Sequence, residues 1–304
     1  MTQQPQDHFG SGLAFVLMAT VGWSLSGLFV RLMPHLSGFQ INCWRGYWMA
    51  AALLCYLALT YGSRLPERIR AIPASALISS ALCFAIGTTA YVTALTLVST
   101  ATVSVIGAMS PLITGLLSPW LTNEKPSLFI WLAAVMALVG AGIIGYNGLE
   151  TGNALGIAIS FGVPITFAIQ TLLLRRHRTL DLMPAICMGG FLAFLGCGTA
   201  GWLLTDTSGF TLDFKSMGLL MLMGPLQLAI PLIFYGKGAR YVSAATLSVL
   251  SMLDAVLNPL WPMLFVGEVP ERLTVIGGAT IVGAVMLSIF GAHYYGNARR
   301  FSTR

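Results

Sequence analysis

From residue 11 to residue 293 the chain is a succession of apolar stretches, each close to membrane-spanning length and each ended by glycine, proline or a small group of charges. Breaking the sequence at those points predicts ten spans: 11–31, 40–61, 72–95, 100–120, 128–146, 152–174, 184–205, 216–238, 243–266 and 272–293. A hydrocarbon core needs roughly 20 apolar residues per helix, and in lipid the backbone must satisfy its own hydrogen bonds, so each stretch is expected to be helical. Only 9% of residues are charged and 56% are hydrophobic, with a mean hydropathy of +0.81. A soluble domain carries about 25% charged residues. The expected surroundings are a lipid bilayer, with no room between spans for a soluble domain.

Several functions are excluded by what the spans leave over. The net charge of +6 is scattered through short gaps and forms no single basic patch, so nucleic acid is not an expected partner. Cys43, Cys55, Cys83, Cys187 and Cys197 lie inside apolar runs without CxxC spacing. They read as small core residues, neither disulfides nor metal ligands. His8, His35, His177 and His293 sit at span ends or in tails, where they suggest no metal site and no catalytic base. No cofactor motif and no catalytic set stands out, so an enzyme is not expected. The opening MTQQPQDHFG lacks a basic region and a cleavage site, so the first span is expected to be retained.

Charge also orients the chain. With a cytoplasmic N-terminus, the inside-facing segments hold Arg64, Arg68, Arg70, Lys125, Arg175, Arg176, Arg178, Lys237, Arg240, Arg299, Arg300 and Arg304, twelve of the sixteen Lys and Arg. Arg31, Arg45, Lys215 and Arg272 face outward. Lys and Arg accumulate in short cytoplasmic loops, so both ends are expected inside, in the inner (cytoplasmic) membrane.

A constant offset of 144 residues runs through the sequence. It carries Glu124 to Glu268, Gly12 to Gly156, Trp23 to Phe167, Arg31 to Arg175 and Tyr91 to Tyr235. It likewise carries Ser99, Ala101, Thr102 and Ser104 to Ser243, Ala245, Thr246 and Ser248. Two halves follow, 1–148 and 149–304, with five spans each. An odd number of spans reverses the second half, so the expected fold class is an all-α membrane protein with ten transmembrane helices as a 5+5 inverted-topology repeat. Such repeats build secondary transporters with a substrate site near the midplane.

The chain resembles the EamA family of the drug/metabolite transporter superfamily. The resemblance is carried by Gly22, Trp23, Phe29, Val30 and Arg31, by WRGYWMA around Arg45, and by YxTALxxxSxA from Tyr91 to Ala101. Glu-Lys-Pro after the fourth span and Gly-Glu-x-Pro after the ninth add to it. It implies movement of small metabolites, often export of amino acids or related compounds. Where family members usually have Glu-Pro, this chain has Asp254-Ala255, and the proline comes later at Pro259.

Asp254 lies inside the ninth predicted span, where a charged Asp costs at least about 2.5 kcal/mol on insertion scales. It either meets a cationic substrate group or a proton, or it locks the helix through an ion pair or hydrogen bond. Arg45, about one turn into the second span, either meets a substrate carboxylate or snorkels to the interface. Trp23, Tyr91, Tyr235, Gln227, Ser251 and Asn258 complete the candidate substrate-binding set, as aromatic faces for a cation or hydrogen-bonding groups. The expected function is alternating-access transport of a small-molecule metabolite, most simply outward movement of amino acids or related amines, with protons as a conceivable driver. Uptake of a quaternary amine such as choline is one alternative. A non-transporting sensor or membrane enzyme is another.

Overall fold

The computed structural model describes residues 9–121, 128–150, 153–177, 180–205, 210–238, 253–284 and 286–287. These are helical almost throughout, with no strand among them. In chain order the helices are α1 (Phe9–Ser24), α2 (Ser26–Arg31), α3 (Gly38–Tyr61), α4 (Leu65–Arg70), α5 (Ala74–Leu97), α6 (Thr100–Gly107), α7 (Ser110–Leu121), α8 (Leu128–Glu150), α9 (Ala154–Ser160), α10 (Gly162–Arg176), α11 (Met183–Thr205), α12 (Phe214–Met223), α13 (Ile230–Gly238), α14 (Leu253–Val266) and α15 (Arg272–Ala284).

Among the described residues, six segments are long and apolar enough to cross a membrane: Gly10–Arg31, Ala74–Leu97, Thr100–Trp120, Ala154–Leu174, Met183–Leu203 and Phe214–Gly238. Shorter apolar pieces cover Trp131–Gly140, Val256–Val266 and Arg272–Ala284. Helix α3 has 24 residues yet is not among the six, because Gln40, Asn42, Arg45 and their aromatic neighbours dilute its hydropathy. The first part of the ninth predicted span, 243–252, lies outside the described residues, and with it Ser251 and the second-half copies of Ser99, Ala101, Thr102 and Ser104.

Local chemistry sets several boundaries. A reciprocal capping box opens α3: the Gln40 amide donates to Ser37 Oγ, and the Ser37 amide donates to Gln40 Oε1. Two orphan amides are satisfied this way. The helix stops at Gly62, whose φ of 53° suits a residue without Cβ. Ser99 caps α6 through the Thr102 amide, and Asp213 caps α12 through the Ser216 amide. Between α12 and α13 the chain continues as a π-helical turn, Gly224–Ala229. Proline clashes with the carbonyl four residues earlier. Pro231 is the second residue of α13, two positions past the end of this turn, and a wider turn before it relieves that clash.

Packing runs between the two halves of the sequence. Helix α3 lies along α11, α1 on α13, and α5 on α10. The 144-residue offset carries α1 onto α9–α10 and α5 onto α12–α13, and so carries the α1–α13 contact onto the α10–α5 contact. Close approach of α3 and α11 depends on Gly46 and Gly190: a Cβ on either would sit under 3 Å from the other's carbonyl oxygen. The larger apolar cluster includes Val30, Ile41, Val92, Leu95, Ile106, Leu112 and Leu220, and a second joins Met49, Leu53 and Leu57 to Ile186 and Leu228.

Candidate functional site

Arg45 stands on α3, roughly 10 Å along the axis from the helix start. It is 2% exposed, so it lies buried and does not snorkel to the interface. Its Nε donates to Gln227 Oε1 at 3.0 Å and its Nη1 to Thr88 Oγ1 at 3.2 Å. Thr88 in turn donates to Asn42 Oδ1 (3.1 Å), and Asn42 Nδ2 donates to Thr89 Oγ1 (3.0 Å). Gln227 belongs to the π-helical turn, and its Nε2 donates to the Trp23 carbonyl at 3.1 Å. Among the described residues no carboxylate lies within ion-pair distance of this guanidinium.

Tyr91 of α5 joins this network to a second one. The Arg45 guanidinium lies 5.9 Å from its ring centroid, within the range of a cation–π contact. Its hydroxyl hydrogen-bonds Ser26 of α2 and accepts from Asn258 Nδ2 at 2.7 Å. Asn258 is fully buried and fully engaged. It also donates to Ser104 Oγ (3.0 Å), while its Oδ1 accepts from the Gly27 amide (3.0 Å). A side chain at Gly27 would collide with Thr100 and Asn258, so glycine permits this approach. One amide side chain thereby ties α14 to α2, α5 and α6.

Asp254 opens α14 and is half-buried. Its Oδ1 is shut from solvent and has no hydrogen-bond partner. Neither the ion pair nor the locking hydrogen bond allowed by the sequence engages this oxygen. Asp254 and Arg45 both lie within electrostatic reach of the Tyr91 hydroxyl. Among the described residues, a buried acid oxygen without a hydrogen-bond partner and a buried cation without an anion thus both act electrostatically on one tyrosine. Trp23 and Tyr235 meet with ring centroids 5.1 Å apart, beside the Gln227–Trp23 bond.

Of the predicted residues, Trp23, Tyr91, Gln227, Tyr235, Asn258 and Arg45 are therefore joined by contacts in one region, Asp254 is linked to it through its electrostatic effect on Tyr91, and Ser251 is outside the described residues. Sequence reasoning missed Thr88, Ser26 and Ser104, which are ordinary hydroxyls in apolar helices, and the Trp48 Nε1–H, which is buried and unpartnered. Ser26 and Ser104 meet Tyr91 and Asn258 across separate helices, and nothing in one sequence aligns those helices.

A cavity of about 380 Å3 lies elsewhere, lined by Arg31, Thr96, Leu97, Val98, Ser99, Asn153, Val266, Gly267 and Glu268. None of the described candidate residues lines it. Arg31 Nε pairs there with Glu268 Oε2 at 2.5 Å.

Comparison with known proteins supplies the relationship. Residues 10–146 match the EamA-like transporter family. The chain is 27% identical over 188 residues to the "Pseudopaline exporter CntI" of Pseudomonas aeruginosa, covering 60% of this chain and 63% of that protein. It is 28% identical over 178 residues to a "Probable biotin transporter" of the same species, covering 56% and 62%. An "Uncharacterized transporter YdfC" of Bacillus subtilis is 28% identical over 199 residues, 62% of each chain. These matches span somewhat under two thirds of the relatives' lengths. One crystal structure shares the fold with a TM-score of 0.64 over 94% of this chain and 99% of the other, at 18% identity. Residues 10–146 of this chain are a domain of the EamA-like transporter family.

Proposed function

We propose that the protein is a secondary transporter that moves a small amphoteric metabolite, an amino acid or a related amine, outward across the inner membrane. The solute's carboxylate lies toward Arg45 and its ammonium toward Asp254, with Tyr91 between them. Ten spans in two inverted halves, 1–148 and 149–304, give the alternating access, and the reciprocal contacts α1–α13 and α10–α5 support that arrangement. The relatives named as an exporter and a transporter support the class of activity.

The observation that supports the reading is a buried acid oxygen and a buried guanidinium that find no counterion among the described residues. Leaving a charge buried without its partner is strongly unfavourable, and intramembrane charges persist where function uses them. A zwitterion supplies both missing partners at once. A quaternary amine supplies only one and meets the Arg45 cation, which disfavours the choline alternative.

The test is a thermal-shift panel on purified protein, followed by flux in liposomes. It compares zwitterions with matched solutes that lack either the amine or the carboxylate. A ligand raises the melting point in proportion to ln(1 + [L]/Kd). Zwitterions are expected to stabilise the chain and single-charge analogues to do so weakly. Asp254→Asn is expected to lose the preference for the amine while remaining folded. Unchanged affinity in that variant removes Asp254 from the site.

A further inference from the structure

We infer that Arg31 and Glu268 form a latch that shuts the mouth of the pathway on the face where α2 ends and α14 ends, and that this latch must part in every cycle. The inference rests on the transport reading above, but its geometry is independent of Asp254 and Arg45.

The pair ties opposite halves of the sequence, and it does so through helix ends as well as charge. The Arg31 fork donates to three places: Nε to Glu268 Oε2, Nη1 to the Leu95 carbonyl at 2.8 Å, and Nη2 to the Val98 carbonyl at 2.7 Å. The last two are carbonyls at the C-terminal end of α5, where a cation is favoured. Glu268 accepts from the Thr100 amide at 2.6 Å and from Thr100 Oγ1 at 3.3 Å. That amide opens α6, where an anion is favoured. The α5–α6 turn is thus gripped at both ends by two side chains that also grip each other. One comes from α2, and the other from just beyond α14.

The donors of Arg31 and the oxygens of Glu268 are occupied, so the pair closes a passage and leaves nothing to offer a solute. Its position fits: the cavity of about 380 Å3 lies against it. Inward along α6, Ser104 is one turn beneath Thr100 and is 5% exposed. Arg31 and Glu268 are themselves 24% and 18% exposed, so water can reach them from the mouth. By the distribution of Lys and Arg, this face is the outer one.

The experiment measures access and needs no substrate. Ser104→Cys, an isosteric change, is the reporter. It reacts with a membrane-impermeant maleimide added to intact cells or to inside-out vesicles, and the chain without the reporter sets the background. With the latch intact, labelling from the Arg31 face is expected to be slow. Arg31→Gln and Glu268→Gln are each expected to speed it at least about tenfold, the scale of losing charge-assisted hydrogen bonds, and only in intact cells. The double exchange Arg31→Glu with Glu268→Arg is expected to stay fast, because each charge then faces the wrong helix end. Where a neutral variant elutes as aggregate, Arg31→Lys and Glu268→Asp replace it, with the same direction expected. Unchanged labelling in both single variants overturns the latch. Slow labelling restored by the exchange overturns its helix-end basis, and acceleration only in vesicles overturns its place on the outer face. A negative result in the ligand panel above, with fast labelling here, rejects the zwitterion site and keeps the latch.

Discussion

Two arginines stand in this protein under opposite conditions. Arg31 is partly exposed and has a carboxylate, Glu268, at 2.5 Å. Arg45 is 2% exposed and, among the described residues, has neutral partners only, Gln227 and Thr88, with the Tyr91 ring beside it. Stability alone predicts the reverse, because the deeper charge is the one that most needs an anion. The ordering makes sense if the anion for Arg45 comes from outside the chain. On the function proposed above, the paired arginine fastens one half of the sequence to the other, and the arginine without a described counterion meets the solute.

The comparison breaks hardest at Arg45. Arg45→Met keeps much of the volume and removes the charge. Binding of a zwitterion is expected to weaken by at least about 30-fold, the low end of the cost of removing one partner from a buried charged contact. The melting temperature of the empty protein is expected to hold or rise, since a desolvated charge is gone. Thermal shift with and without ligand checks both, and a variant that binds as before refutes the role of Arg45.

Gln227→Glu sharpens the contrast by giving Arg45 the counterion that Arg31 already has. The new carboxylate stands 3.0 Å from Nε, where the amide oxygen is now. Ligand affinity is expected to drop about tenfold as the internal pair competes with the solute. Titrating ligand against the melting point reads the change, and no loss of affinity means the solute's carboxylate lies elsewhere.

The smallest effect belongs to a hydrogen-bonded contact at the surface, His35 with Asp213 at 3.2 Å. Hydrogen bonds from Ser216, and then from His35, hold the Asp213 carboxyl well below the usual carboxylate range. Its contribution to stability is therefore present above the ordinary carboxylate pKa of about 4 and is lost as pH falls through the lower folded value. Its position in contact with solvent keeps it slight. Asp213→Asn is expected to melt marginally lower than the parent at pH 6, with the gap narrowing below pH 4 in a pH-resolved melting series.

Sequence carried the charged members of the site because ionisable groups inside apolar runs are few: Asp254 and Arg45 stood out by type alone. The hydroxyl network did not. Thr88, Ser26 and Ser104 acquire meaning only when α5, α2 and α6 are packed side by side, and local pattern carries no record of that packing. Glu268 was visible as a marker of the repeat, yet its partner was not, since Arg31 and Glu268 are 237 residues apart along the chain. Helical class was legible from span length. Of the expected ten spans, six have spanning length and hydropathy among the described residues; α3 falls short because Arg45 and its polar and aromatic neighbours dilute its hydropathy, and prolines at 225 and 231 announced a distortion without revealing its π form.

The tie between Arg31 and Glu268 has one further consequence. It is built at the waterline, so carbonyls and amides that it lets go are rehydrated at once, and the net cost of parting is a fraction of the bonds' gross strength. A comparable knot at the depth of Arg45 would strand bare dipoles in hydrocarbon. A fastening placed where solvent can substitute for it is one that thermal motion undoes and remakes, which is what a device working on every turnover requires.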